Sequence, residues 1–428
     1  MRIRPLWLLT TSLLVSGASL ASLLLIAHFS FASQPPGNVR FVAQGGIDDG
    51  NLCTDSSLPC ASVQRGIDIA DPGDEVRIAV GVYTGVHGRA APAGYEGPAV
   101  ITQVVYLTKT LTLRGGFTTT DWTVPDPDQF PTVLDAQNHG RGLFMAGPIS
   151  PTIDGLWFVN GNATGLGGGV FSYDGGGNVA VYRSAPTVRH SRIVSGTARL
   201  GGGFWLGQGR GVLDSNRFLN NTATMGGGFF AGGSSATLTD NLFAGNTARS
   251  TGGGLLILYS DMTLVNNAIV GNRTEGDASG IGVGGSTVTF LHTTVAGNTG
   301  GDGSGITINE LLSVPSQTTM TNTILVHQTA GITVGVSSQV QMNGVLWFAN
   351  GVNAGGLGTI TITTQYTGNP AFAEDGYHLS IASAAIDRGV DAGVEDDIDG
   401  ALRPVGRAAD LGADEYPYYS LLLPLLLR

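Results

Sequence analysis

The chain is poor in cysteine, in lysine and in charge. Of its 428 residues only Cys53 and Cys60 are cysteine. Two thiolates make half a zinc site, and no histidine lies nearby, so the two cysteines argue against a zinc cluster. Lys109 is the sole lysine among 21 basic residues, which reads as compositional bias toward arginine and not as a site. Charged residues make up 12% and the net charge is −11. That sign argues against a nucleic-acid phosphate backbone as partner.

In place of these stands glycine, at 67 positions. Glycine weakens helix interiors by about 1 kcal/mol each, so this composition excludes a helical domain. It fits many turns and closely packed backbone.

Residues 1–32 read as an export signal: Arg2 and Arg4 precede a long apolar run that ends in "SFA". Removing both arginines takes the net charge from −11 to −13. The long run leaves a retained membrane anchor as the alternative. In an exported chain Cys53 and Cys60, in "LCTDSSLPC", are expected to form a disulfide.

The body repeats itself. "NRFLNNTATMGGGFFAGG" returns twenty-five residues later as a near copy, "NLFAGNTARSTGGGLLIL". Large apolar anchors stand at Phe158, Ile193, Phe218, Phe243, Ile269, Val295, Ile324 and Trp347. Three positions after them come Asn221, Asn246, Asn272, Asn298 and Asn350. Two positions before them come Ser191, Asn216, Asn241, Asn267, Thr293 and Asn322. A period near 25 with short alternating segments rich in Thr, Val, Ile and Phe predicts one coil of a parallel β-helix. Stacked coils lie ~4.8 Å apart. Asn221, Asn246, Asn272 and Asn298 are therefore expected to form a structural ladder of amide hydrogen bonds. The glycine clusters supply corners with positive φ.

The predicted architecture is all-β: a right-handed single-stranded parallel β-helix over 76–368. Residues 33–75 form an N-terminal cap, with the Cys53–Cys60 loop and a short helix lying across the open end of the stack. A Pro-rich excursion, "TTTDWTVPDPDQFP", interrupts the first coils.

These repeats resemble the pectin-lyase-like fold and, more loosely, polymorphic outer membrane protein repeats. The stretch "NPAFAEDGYHLSIASAAIDRG" with "DIDGALRPVGRAADLGADEY", residues 369–416, resembles the choice-of-anchor Q domain of bacterial surface proteins. The resemblance implies a β-helix held at the cell surface. The fold itself hosts lyases, hydrolases and adhesins alike. Residues 417–428, "PYYSLLLPLLLR", form an apolar tail too short to span a bilayer.

Several motifs carry no chemistry on inspection. "GIGVGG" opens no helix, so it binds no dinucleotide. "GGDGSG" is a single imperfect calcium-type repeat. His190, Ser215 and Asp240 share one column, but the histidine does not lie between nucleophile and acid. Asp214 and Asp240 neighbour each other on successive coils, yet each precedes an asparagine at a turn and reads as a backbone-bonding residue. Nine acids between Asp387 and Glu415 read as Asp-rich turns and Asp–Arg pairs. No catalytic residue, metal or cofactor is expected.

Strand alternation points instead to aromatics. Aligning "GGGVFSY", "GGGFWLG" and "GGGFFAG" turns Phe171, Trp205 and Phe230 outward on three successive coils. Such a stripe is expected to bind sugar faces. The sequence thus predicts a secreted or cell-surface monomer, non-catalytic, binding extracellular polysaccharide or cell envelope. Its only contact with membrane is through signal or anchor. The alternative is a polysaccharide lyase or glycoside hydrolase.

Overall fold

The structure is a computed structural model that describes residues 37–95, 97–165 and 175–417. The coil from Ser235 to Ser260 shows how the sequence builds it. Strand Ser235–Thr239 turns at Asp240, strand Leu242–Ala244 turns at Gly245, and strand Thr247–Thr251 turns at Gly252. Strand Leu255–Leu258 then closes the coil. Asp240, Gly245 and Gly252 all have positive φ, so each corner is a left-handed residue. Gly252 and its counterpart Gly226 (φ +67°) have no alternative: a Cβ on either would stand 2.5 Å from the carbonyl oxygen of Leu255 or Phe229.

Each strand pairs in parallel with its counterpart on the next coil. Phe218 registers with Phe243, Phe243 with Ile269, and Ile269 with Val295. Coils joined by parallel crossovers wind right-handed. The parallel ladder starts earlier than residue 76, because Val39–Val42 already pairs with Glu75–Ala79. The ladder runs to Thr359–Thr367.

Alternation sends Leu238, Phe243, Leu255 and Ile257 into the bore, where all are fully buried. The rings of Phe218 and Phe243 stack 4.4 Å apart. Around this core the asparagines stack as well. Asn221 Nδ2 donates to Asn246 Oδ1, Asn246 to Asn272, and Asn272 to Asn298, at 2.9–3.0 Å. A second ladder joins Asn216, Asn241 and Asn267. A third, not foreseen, runs along Ser234, Ser260, Ser286, Ser316 and Ser338, each backbone N–H donating to the next hydroxyl. Serine is a common turn residue, so this column carried no distinctive signal in the sequence.

The cap is helix Val63–Ile69, with the Ser62 hydroxyl accepting from Arg65 N at its start. Lys109 is not idle: its ammonium donates to the carbonyls of Ile67, Asp68 and Ala70 at the helix end. Cys53 and Cys60 are bonded and fully buried.

One anchor and one strand assignment change. Val295 registers with Leu325, so Leu325 points into the bore and Ile324 points out. The long gap between Phe158 and Ile193 contains an insertion inside one coil. The strand stacked under Phe204–Gly207 is Val179–Tyr182, from "GGGNVAVY" and not from "GGGVFSY".

Between Gly368 and Pro417 there is no regular strand or helix. This C-terminal segment lies against the outer face of the β-helix, where Tyr377, Leu379, Ala385, Leu411 and Ala413 bury Ala268, Ala296, Ile324 and Leu346.

Candidate functional site

The outward residue just before each anchor forms one column: Trp157, Arg192, Arg217, Leu242, Ala268, Thr294, Ile324, Leu346. Its character changes at Leu242. Apolar and small members lie beneath the C-terminal segment. Trp157, Arg192 and Arg217 are not among the residues that the segment buries, and Arg217 faces the segment's edge. Arg192 and Arg217 line an open cleft of about 480 Å³. The other wall is the Pro-rich excursion, through Pro125, Pro127 and Asp128.

The cleft is rich in cationic groups. Asp154 is the hub of its floor, accepting from Arg114 Nε (3.2 Å), an Arg189 guanidinium N–H (3.0 Å) and His190 Nδ1 (3.0 Å). Burial alone would raise the Asp154 carboxyl. The His190 hydrogen bond and the Arg189 and His190 charges outweigh it and hold the group below its ordinary value. The same hydrogen bond raises His190. Arg192 lies over the Trp157 ring, 4.4 Å from its centroid, and pairs with Asp128 at 2.6 Å. Arg217 is exposed and faces Tyr377 and Asp399 of the C-terminal segment.

The triad column is real as a column of left-handed corners: His190, Ser215 and Asp240 all have positive φ. It makes no triad, because His190 bonds Asp154 and the Ser215 hydroxyl donates to Asp214 at 3.1 Å. Asp240 lies partly buried, accepting from Asn266 Nδ2, whose amide also donates to the Asp396 carbonyl. Burial, and then the charges of Asp214, Asp396 and Asp397, raise Asp240 to about 7.

The aromatic stripe needs correction. Trp205 and Phe230 do point away from the bore, but they are only 3% and 7% exposed. They belong to an outer apolar cluster with Phe144, Tyr182 and Leu256. Trp205 stacks on Tyr182, with ring centroids 6.4 Å apart. Tyr182 in turn donates to the Gly94 carbonyl of a covering loop. Gly175 passes so close to Trp205 that a Cβ there would stand 2.2 Å from the ring. No sugar-sized face is open on either ring. Phe171 lies outside the described residues, and the coil position under Trp205 is taken by Ala180.

Most C-terminal acids serve the segment itself. Arg403 and Glu415 form a fully buried pair at 3.0 Å. Asp397, Asp387 and Asp410 all accept from backbone N–H groups of the segment.

The site residues Trp157, Asp154, Arg192 and Arg217 were missed in the sequence. The available signal was parity: once Phe158 and Phe218 face in, Trp157 and Arg217 must face out.

The right handed beta helix region family matches residues 152–295, about a third of the chain. Pectate lyase Pel9A is 12% identical, over 89% of this chain and 96% of that one, with a TM-score of 0.43. A rhamnogalacturonan lyase is 11% identical, over 88% and 96%, with a TM-score of 0.34. The GH136 lacto-N-biosidase of Eubacterium ramulus is 10% identical, over 76% and 68%, with a TM-score of 0.35. No curated protein matches the chain. These values carry no inference about activity.

Proposed function

We propose that this chain is an exported cell-surface β-helix that binds an extended acidic polysaccharide in the cleft beside Trp157, Arg192 and Arg217, without cleaving it. The observation that carries this reading is the register of Arg192 with Arg217 on adjacent coils, beside an outward tryptophan, in an open cleft. A guanidinium fork suits a carboxylate, and Trp157 backs the Arg192 guanidinium that would present it. The protein as a whole is strongly anionic, so attraction for a polyanion must come from this local cluster.

Binding is favoured over cleavage by how the ionisable groups are engaged. His190 is engaged by Asp154 through Nδ1, and that hydrogen bond raises it, so the ring is tied to the cleft floor. Asp214 and Asp240 do not line the cleft as a pair. Export is supported by Arg2, Arg4 and the apolar run, and by the Cys53–Cys60 bridge, which suits an oxidising compartment. The choice-of-anchor Q reading of 369–416 supports retention at the surface.

The test is titration calorimetry with a uronate-containing polysaccharide and, in parallel, a neutral glucan. The acidic chain should bind and the neutral one should not. Arg192→Ala or Arg217→Ala should each weaken binding ~30-fold, about 2 kcal/mol, and flatten its salt dependence. Reducing ends or unsaturated-bond absorbance released by the wild type would replace this reading with that of a lyase or hydrolase.

A further inference from the structure

A second group of ionisable side chains lies outside the cleft, within the C-terminal segment. His378, Asp399 and Asp414 each present one ligand atom, all within 4.8 Å of one another. They come from three separate stretches of an irregular segment. His378 Nε2 stands 2.5 Å from Asp399 Oδ2, and its Nδ1 contacts Asp375 Oδ2. The Tyr377 ring packs on the imidazole, with centroids 4.2 Å apart. Asp414 is 5% exposed, and Leu379 N donates to its Oδ2.

We propose that His378 Nε2, Asp399 and Asp414 bind a first-row divalent cation of the zinc class. One nitrogen and two carboxylate oxygens form a three-ligand set with a fourth position for water. Around such an ion, at ~2.0–2.2 Å from each ligand, the ligand atoms would sit roughly 3.4 Å apart. The contact between His378 Nε2 and Asp399 stands where the ion would insert. Asp399 is half exposed and can swing to admit it. Asp375 then has a defined role. By accepting from Nδ1–H, it fixes the tautomer that leaves Nε2 free to coordinate. The imidazole ligand favours this class over calcium, which takes six to eight oxygens. The ion would tie Asp375–His378, Asp397–Asp399 and the returning chain at Asp414 to one another, and so fix the shape of the segment whose apolar side packs on the β-helix.

The experiment uses the full chain, stripped with chelator and dialysed, then titrated with zinc alone and with calcium alone. Mass spectrometry of the metal content should give one zinc per chain, and zinc should raise the melting temperature by several degrees where calcium does not. His378→Ala and Asp399→Asn should abolish the zinc-dependent rise, and Asp375→Asn should weaken zinc affinity ~10–100-fold. Asp399 is half exposed, so Asp399→Asn reports even where His378→Ala fails to fold. Absence of retained zinc, or an equal zinc-dependent rise in wild type and Asp399→Asn, would overturn the proposal.

Discussion

Asn221 lies one coil from Asn246, and its side-chain and backbone N–H groups both donate to the single Oδ1 of Asn246, at 2.9 and 3.0 Å. Asn246 Nδ2 in turn serves Asn272 Oδ1 and the Phe218 carbonyl. One amide thus satisfies four buried groups. Each group left unpaired costs ~1–3 kcal/mol. Asn246→Ala should therefore lower the melting temperature strongly. Asn350→Ala, at a half-exposed position with fewer partners in the ladder, should lower it less. Equal, negligible shifts in thermal denaturation would contradict the ladder's energetic role.

Trp205 is a packing residue on the outside of the coil. Replacing a buried tryptophan by alanine typically costs ~3–5 kcal/mol. Trp205→Ala should lose several degrees of melting temperature, with Trp205→Phe intermediate. Affinity for an acidic polysaccharide, measured below the transition, should stay unchanged. A loss of binding with full stability would restore the aromatic stripe as the site.

Asp240 makes stability depend on pH. Its folded value of about 7 lies above its ordinary 3.8, so the folded state holds its proton more tightly than the unfolded chain. The resulting contribution is complete below about pH 3.8 and is lost as pH rises toward and through about 7. Above that, a charged Asp240 faces Asp214, Asp396 and Asp397. Asp240→Asn should keep the hydrogen bond from Asn266 and remove this loss. Its melting temperature should exceed the wild type's by a few degrees at pH 8 and converge with it at pH 4. Parallel curves for the two proteins, recorded in chelator, would refute the assignment.

Cys53 and Cys60 close a short loop just before the helix Val63–Ile69. Mass spectrometry of secreted material should show the bridge intact and no free thiol. Replacing both by serine should cost about 2–4 kcal/mol in chemical denaturation. An unchanged denaturation midpoint would mean that the cap holds without it.

The amino-acid sequence by itself determined the coil. Its period, its inward anchors and its asparagine ladder are local demands repeated once per coil, and parallel stacking turns a sequence repeat directly into a spatial one. Parity around the same anchors also held the outward column that includes Trp157, Arg192 and Arg217. The switch to Leu242 and Ala268 in that column is the mark of a covered face. Tertiary structure alone decided what does the covering. Residues around Gly94 fold back over Tyr182, and the 369–416 segment lies along the outer face, through contacts between stretches far apart in the chain. No periodicity encodes such pairings. Register, too, was settled only by stacking. Two glycine-rich phrases compete within the long gap between Phe158 and Ile193, and backbone pairing selects Ala180 as the neighbour of Trp205. A one-residue choice of the same kind puts Leu325 in the bore and Ile324 against the C-terminal segment, because alternation along a strand reverses every side chain when the register slips by one.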